Sequence, residues 1–211
     1  MVSKKSLSIL FLIFSTLFLK SQESKFRLGV GLKPIKSSVE SDPYLNLQEF
    51  YAISPCIVID YKLTNKFSIS SGIEYEKKGG EGDLTATILG GQLIDVLTTF
   101  QLHFLQVPIM VTYKTNGKVK FLGNLGVNVG YLFDQSISTK NNIQPKLETD
   151  FSEFELSLLL GAGLEIDCGE KFDLGLGIRN NIGLTELKSA GGNLDLKTNT
   201  IGLLLNLSYN L

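Results

Sequence analysis

The sequence predicts an all-β fold, an eight-stranded antiparallel up-and-down transmembrane β-barrel. Three observations lead there. Apolar and polar residues alternate with period two along eight segments. Tight turns and long connections succeed one another between those segments. Six of the seven tyrosines lie on the apolar parity near segment ends, where a lipid–water boundary would fall.

The N-terminus reads as an export signal over residues 1–21, leaving a barrel domain over 22–211. Lys4 and Lys5 precede an apolar run from Leu7 to Leu19, and Ser21 offers a small residue for cleavage. Thirteen residues suit a signal and are too few to span a bilayer as a helix. Losing this segment removes Lys4, Lys5 and Lys20 and no acid, so the exported chain is more acidic than the formal −1.

The segments follow in order. Phe26, Leu28, Val30 and Leu32 oppose Arg27, Gly29, Gly31 and Lys33. Tyr51, Ile53, Ile57, Ile59 and Tyr61 oppose Ala52, Ser54, Cys56, Val58 and Asp60. Phe67, Ile69, Ile73 and Tyr75 oppose Ser68, Ser70, Gly72, Glu74 and Glu76. Leu105 to Tyr113 alternates against Gln106, Met110 and Thr112, and Val119 to Phe133 against Lys120, Asn124, Gly126, Asn128 and Gly130. Phe154 to Ile166 alternates against Glu155, Ser157, Gly161, Gly163 and Glu165. Phe172 to Ile178 opposes Asp173, Gly175, Gly177 and Arg179, and Ile201 to Leu211 opposes Gly202, Asn206, Ser208 and Asn210. Tight turns are expected near 64–65, 115–117 and 168–170, and long connections over 34–50, 78–96, 134–150 and 185–197.

In a membrane barrel the apolar face meets lipid between aromatic girdles. Tyr51, Tyr75 and Tyr131 then mark the long-loop boundary, and Tyr61, Tyr113 and Tyr209 the short-turn boundary. Tyr51 to Tyr61 covers roughly 33 Å of strand, which a tilt of about 40° reduces to roughly 25 Å, the height of such a band. The opposite face would line the lumen with Arg27, Asp60, Glu74, Lys120, Glu155, Glu165, Asp173 and Arg179. Eight strands enclose a space that side chains just fill. These charges therefore read first as an internal salt-bridge plug, and second as a selective path for a small solute. A secreted soluble barrel, with an apolar interior holding an apolar ligand, is a third reading.

Two features break the pattern. Pro55 and Pro108 fall inside segments and lack an N–H, so a bulge or ladder break is expected at each. Phe100, Leu102 and Phe104 carry the parity opposite to Leu105 onward, which a bulge or inward packing of the three would explain. Asn180 also stands on the lipid-facing parity.

Chemistry-bearing residues are few. His103 is the single histidine, no nucleophile elbow is present, and no enzymatic activity is expected. The pairs Glu74/Glu76 and Glu165/Asp167 follow from period-two polarity, so no metal or cofactor is assigned to them. Cys56 and Cys168 should lie roughly 18 Å apart along the barrel axis, too far for a disulfide. No basic run points to nucleic acid.

The stretches FLQVPIMVTYK and VKFLGNLGVNVGYLF, with GLGIRNNIGLTEL at 175–187, resemble the PorT-like outer-membrane β-barrel family of Bacteroidota. Phe104 to Ile109 take the place of its "Tyr-Leu-Glu-Ile-Pro-Leu" strand, with Phe and Gln replacing Tyr and Glu. Arg179, Gly183 and Leu184 match a late "Arg-Tyr-x-x-Gly-Leu" strand, with Asn180 at the aromatic position. The C-terminus resembles the signal read by the barrel-assembly machinery through Tyr209. Leu211 replaces the aromatic last residue. The resemblance implies a cell outer-membrane location, with outer-membrane lipid and the barrel-assembly machinery as partners. The functional expectation beside it is a structural or interaction role through outward loops, which the resemblance extends to an accessory role beside envelope or secretion proteins.

The 21 glycines are a further signal. Ten fall on the inward parity, where glycine would leave room for the charged side chains opposite.

Overall fold

The computed structural model describes residues 25–41, 48–87, 93–139, 151–188 and 195–211. The expected signal over 1–21 lies outside the described residues, as do the tips of four connections.

Among the described residues there are nine strands: β1 (Phe26–Ser41), β2 (Gln48–Lys62), β3 (Phe67–Thr87), β4 (Leu93–Lys114), β5 (Val119–Thr139), β6 (Phe154–Asp167), β7 (Phe172–Gly183), β8 (Leu187–Lys188) and β9 (Asp195–Asn210). Eight of them run antiparallel in sequence order, and β1 pairs with β9 to close the ring. The two-residue β8 pairs only with β9, just beyond the end of β7. It continues the place of β7 after a break at 184–186.

The strands outrun the sequence reading. The expected connections 34–50 and 78–96 are in large part strand, since β1 reaches Ser41 and β3 Thr87, and 134–150 begins as strand, since β5 reaches Thr139. Strand also enters both ends of 185–197, with β8 at Leu187–Lys188 and β9 from Asp195. Beyond an apolar band both faces of a strand meet polar surroundings. The alternation that marks a strand in sequence is lost there while the ladder of backbone hydrogen bonds continues.

Turns 63–66, 115–118 and 168–171 close the other end. In the first, Thr64 Oγ1 accepts from the backbone N–H groups of Lys66 at 3.2 Å and Phe67 at 3.0 Å. The other two turn on Gly117 and Gly169, at φ of 122° and 91°, where a side chain would be strained.

Each in-strand proline keeps one pairing and loses the other. Pro34 pairs with Ile53, Pro55 with Leu32 and Pro108 with Asn128. The β1–β9 ladder passes over Lys33 and Pro34, and the β3–β4 ladder over Val107 and Pro108, without change of register. The β2–β3 ladder shifts register between Glu49 and Cys56. A residue without an N–H cannot supply the bond on that side.

The phase break before Leu105 has its explanation in packing. Phe100, Leu102 and Phe104 point inward and are buried, as are Gln106 and Met110 after them, so β4 keeps one parity throughout. A register shift also occurs, between His103 and Phe104 in the ladder with β5.

Burial is inverted relative to a water-soluble barrel. Ile57 and Leu205 are about half exposed, at 51% and 50%, while Lys33, Glu74 and Glu76 are at 1%, 0% and 0%. Apolar side chains face out and charges face in, opposite to a barrel carrying an apolar ligand inside.

Glycine serves this wall in two ways. A Cβ at Gly202 would meet the Lys33 stem at 2.6 Å, and one at Gly130 would crowd Phe104 at 3.2 Å. These positions leave room for large inward side chains. At Gly72 and Gly126 a Cβ would instead overlap the backbone carbonyl oxygens of Ile57 and Ile109. There glycine lets neighbouring strands coil closely, which the inward parity alone did not reveal.

Candidate functional site

The candidate site is the lumen together with the two boundaries of the apolar band. The inward side chains of β1, β2, β3, β6 and β7 follow one order along the barrel, from the short-turn end to the other.

Nearest the short turns, the Arg27 guanidinium donates to Asp60 through Nε at 2.7 Å and Nη2 at 2.5 Å. Its Nη1 donates to Glu165 and, at 3.2 Å, to Asp173. Lys114 Nζ reaches Glu165 at 3.0 Å, and Lys120 Nζ reaches Asp167 at 2.5 Å. Asn210 adds a donor to Asp173 at 3.1 Å. A small apolar patch of Cys56, Val58 and Leu204 follows. Cys56 is buried, Cys168 is exposed, and both are free thiols.

The second charge layer joins β1, β3, β6 and β7. Lys33 Nζ donates to Glu74 at 2.6 Å and Glu76 at 2.9 Å. Arg179 Nη1 donates to the other Glu74 oxygen. Lys78 Nζ donates to Glu155 at 2.5 Å and to Thr198 Oγ1 at 3.1 Å, and lies 5.0 Å from the Phe104 ring centroid. The Thr198 and Thr200 hydroxyls donate to Glu155 and Glu76. Three cations meet three carboxylates here, all nearly fully buried. Burying charge is tolerable only with such pairing and hydrogen bonding.

An apolar cluster sits above that layer. Val39, Leu102, Phe104, Leu132 and Leu196 come from strands, Phe151 from just before β6 and Leu187 from β8. Phe151 and Leu187 thus help cover the second charge layer on its far side. The short-turn end is open, forming a polar cup of about 500 Å³ whose wall includes Arg27, Asp60, Lys114 and Asp173.

The sequence-derived residues thus divide between layers. Arg27, Asp60, Lys120, Glu165 and Asp173 meet near the short turns. Glu74, Glu155 and Arg179 lie in the second layer, where Glu155 is partnered by Lys78 rather than by an arginine. The eight residues of the expected charge network did not include Lys33, Glu76, Lys78 and Lys114, although the sequence placed Lys33 and Glu76 on the inward face. Lys33 and Glu76 share the inward parity of the eight, so the pattern alone suffices to add them. Lys78 falls where the pattern reads as a loop.

The tyrosines carry ring partners across the ladder. At the short-turn boundary Tyr61 packs on Phe26, Tyr113 on Phe67 and Tyr209 on Phe172, at centroid distances of 5.0, 5.2 and 5.2 Å. At the other boundary Tyr131 packs on Phe154 at 5.4 Å and Tyr75 on Phe133 at 6.0 Å. Tyr51 is 68% exposed, and its hydroxyl reaches Glu49 at 3.3 Å. Glu49, two residues further out, has its carboxyl held below the usual range by a hydrogen bond from Lys36. His103 Nδ1 shares a 2.7 Å hydrogen bond with the Tyr75 hydroxyl on the outer surface.

Solved structures of similar shape are outer-membrane barrels. The chain is similar to the outer membrane protein OprG from Pseudomonas aeruginosa, with a TM-score of 0.58 and 13% identity over 89% of this chain and 96% of that one. It is similar to Neisserial surface protein A, at 0.52 and 15% identity over 89% and 98%. It is also similar to the outer membrane protease OmpT from Escherichia coli, at 0.52 and 8% identity over 92% and 100%. At these identities the likeness is one of fold. No curated protein matches the chain in sequence. The family model described as outer membrane protein beta-barrel domain matches residues 20–189. The closed ring, its outward apolar band and that match together place the protein in the outer membrane, and the chain belongs to the outer membrane protein beta-barrel domain family.

Proposed function

We propose that this protein is a non-conducting, non-enzymatic barrel that anchors an interaction surface at the outer side of the membrane. The observation that carries the reading is the Arg179–Glu74 pair, which crosses the lumen between strands four apart in the ring of eight. Lys78–Glu155 beside it and the apolar cluster with Phe151 and Leu187 above it support a filled lumen.

The same strands that close the barrel extend beyond the outer tyrosines. From Tyr75 to Thr87, β3 continues for twelve residue steps, a rise of roughly 30 Å at the usual pitch and tilt. β4 pairs with it along that length and β5 borders them. This outer wall is the surface that partners would meet. The PorT-like resemblance of the 104–109 and 175–187 stretches makes a secretion assembly in the envelope one class of partner.

The test is site-specific photo-crosslinking in cells from the exposed outer positions Glu40, Ser136 and Lys197, with lipid-facing Ile57 as control. Discrete protein adducts from the outer positions, absent at Ile57, are expected. Adduct patterns indistinguishable from the Ile57 control would overturn the reading.

A further inference from the structure

The cup at the short-turn end carries more positive charge than its own acids use. Its lining includes Lys25, Arg27, Lys62, Lys66, Lys114 and Lys120 against Asp60, Glu165, Asp167 and Asp173. All four carboxylates are taken, by Arg27, Lys114 and Lys120. Lys25, Lys62 and Lys66 have no acidic partner among the described residues.

These three lysines stand on adjoining strand ends. The backbone N–H of Lys62 donates to the Lys25 carbonyl at 2.7 Å, and that of Lys114 to the Lys66 carbonyl at 2.8 Å. Lys62 carries the inward parity of β2, Lys25 immediately precedes β1 and Lys66 ends the turn into β3, and all three line the cup at its rim. Below them Ser68 lines the cup. It is 6% exposed, and its Oγ is buried without a hydrogen-bond partner. A buried hydroxyl left unpaired costs free energy that a ligand oxygen would recover.

We propose that this cup is a binding site for a phosphoryl group, open to the periplasm, where the short turns of such barrels lie. Ammonium groups bind phosphate as point charges, and the walls of a cleft concentrate their field. A phosphoryl group offers enough oxygens for several ammonium donors and the Ser68 hydroxyl together, more than one carboxylate does. It could arrive on a free phosphate compound or on a phospholipid headgroup of the inner leaflet. The inference does not rest on the outer-end reading, since the cup and the outer wall lie at opposite ends of the barrel.

The test uses the full exported chain, folded in neutral detergent and titrated calorimetrically with inorganic pyrophosphate at low ionic strength. Saturable binding is expected, weakened about tenfold or more in a Lys62→Gln/Lys66→Gln double variant, equivalent to losing charge-assisted contacts. Ser68→Ala should weaken it less. A heat-modifiable gel shift in each variant shows that the barrel has folded. Displacement of pyrophosphate by short-chain phosphatidic acid would name the headgroup as the source, and its absence a free phosphate compound. No saturable binding, or equal binding by the folded double variant, would overturn the site. Succinate binding as tightly as pyrophosphate would overturn its assignment to phosphoryl groups.

Discussion

Arg179 on β7 and Glu74 on β3 are hydrogen-bonded to each other across the full width of the lumen. Their strands stand opposite in the ring, and Lys33 on β1 holds the second Glu74 oxygen at 2.6 Å. Removing either partner leaves a buried charge short of compensation. Arg179→Ala is expected to cost about 3 kcal/mol or more of unfolding free energy, the usual scale for breaking a buried pair. Glu74→Gln should cost less once Arg179 is absent. Urea titration of the four proteins of that cycle, refolded into vesicles, measures the coupling. Additive losses would remove the pair from the stabilising set.

Gly72 and Gly123 make a controlled comparison. A Cβ at Gly72 would overlap the Ile57 carbonyl oxygen, whereas one at Gly123 meets nothing within 4 Å. Gly72→Ala is expected to destabilise the barrel by about 1–3 kcal/mol, the range for overpacking. Gly123→Ala should stay within about 0.5 kcal/mol of the parent. Thermal midpoints of the gel-shift transition separate the two, and equal midpoints would contradict the close-approach role of Gly72.

Ile57 lies between Tyr51 and Tyr61 on the outward face of β2. Ile57→Lys is expected to cost about 2–4 kcal/mol, as a cation does near the middle of a bilayer. The same change at Ser136, exposed beyond the outer tyrosines, should be nearly neutral. Unfolding titrations in vesicles check both. A neutral Ile57→Lys would place the apolar band elsewhere.

Phe151, just before β6, and Leu187, on the two-residue β8, belong to the apolar cover over the second charge layer. Leu187→Ala empties space in that cover and is expected to cost about 2–4 kcal/mol, as truncation of a fully buried leucine does. Leu184→Ala, at a leucine 52% exposed, should cost far less. The difference between the two unfolding free energies measures the contribution of the cover.

The barrel itself was legible because one face meets lipid. Between the girdles nearly every outward residue is apolar, and period two is written without interruption from Leu105 to Tyr113 and from Phe172 to Ile178. Outside the girdles that demand ends. Lys78, Gly79 and Gly80 read as a loop although they continue β3. The partner choices were not legible for a different reason. Arg179 is 105 residues from Glu74 in the chain and Lys78 is 77 from Glu155. Parity says that each faces inward, but strand tilt and closure decide which charges meet. Phe151 lies just before β6 and Leu187 in the two-residue β8, too short for a period to reveal either, so the apolar cover emerges only from the folded chain.

On the reading proposed above, a lumen crossed by ion pairs and covered by the cluster that holds Phe151 and Leu187 passes no ions. Planar-bilayer recording with the folded exported chain tests this most directly. The expected trace shows no steady conductance above the bare membrane at any polarity, with insertion verified by protease protection of the barrel. Reproducible single-channel steps that change in size or ion selectivity with Arg179→Ala would contradict the filled lumen.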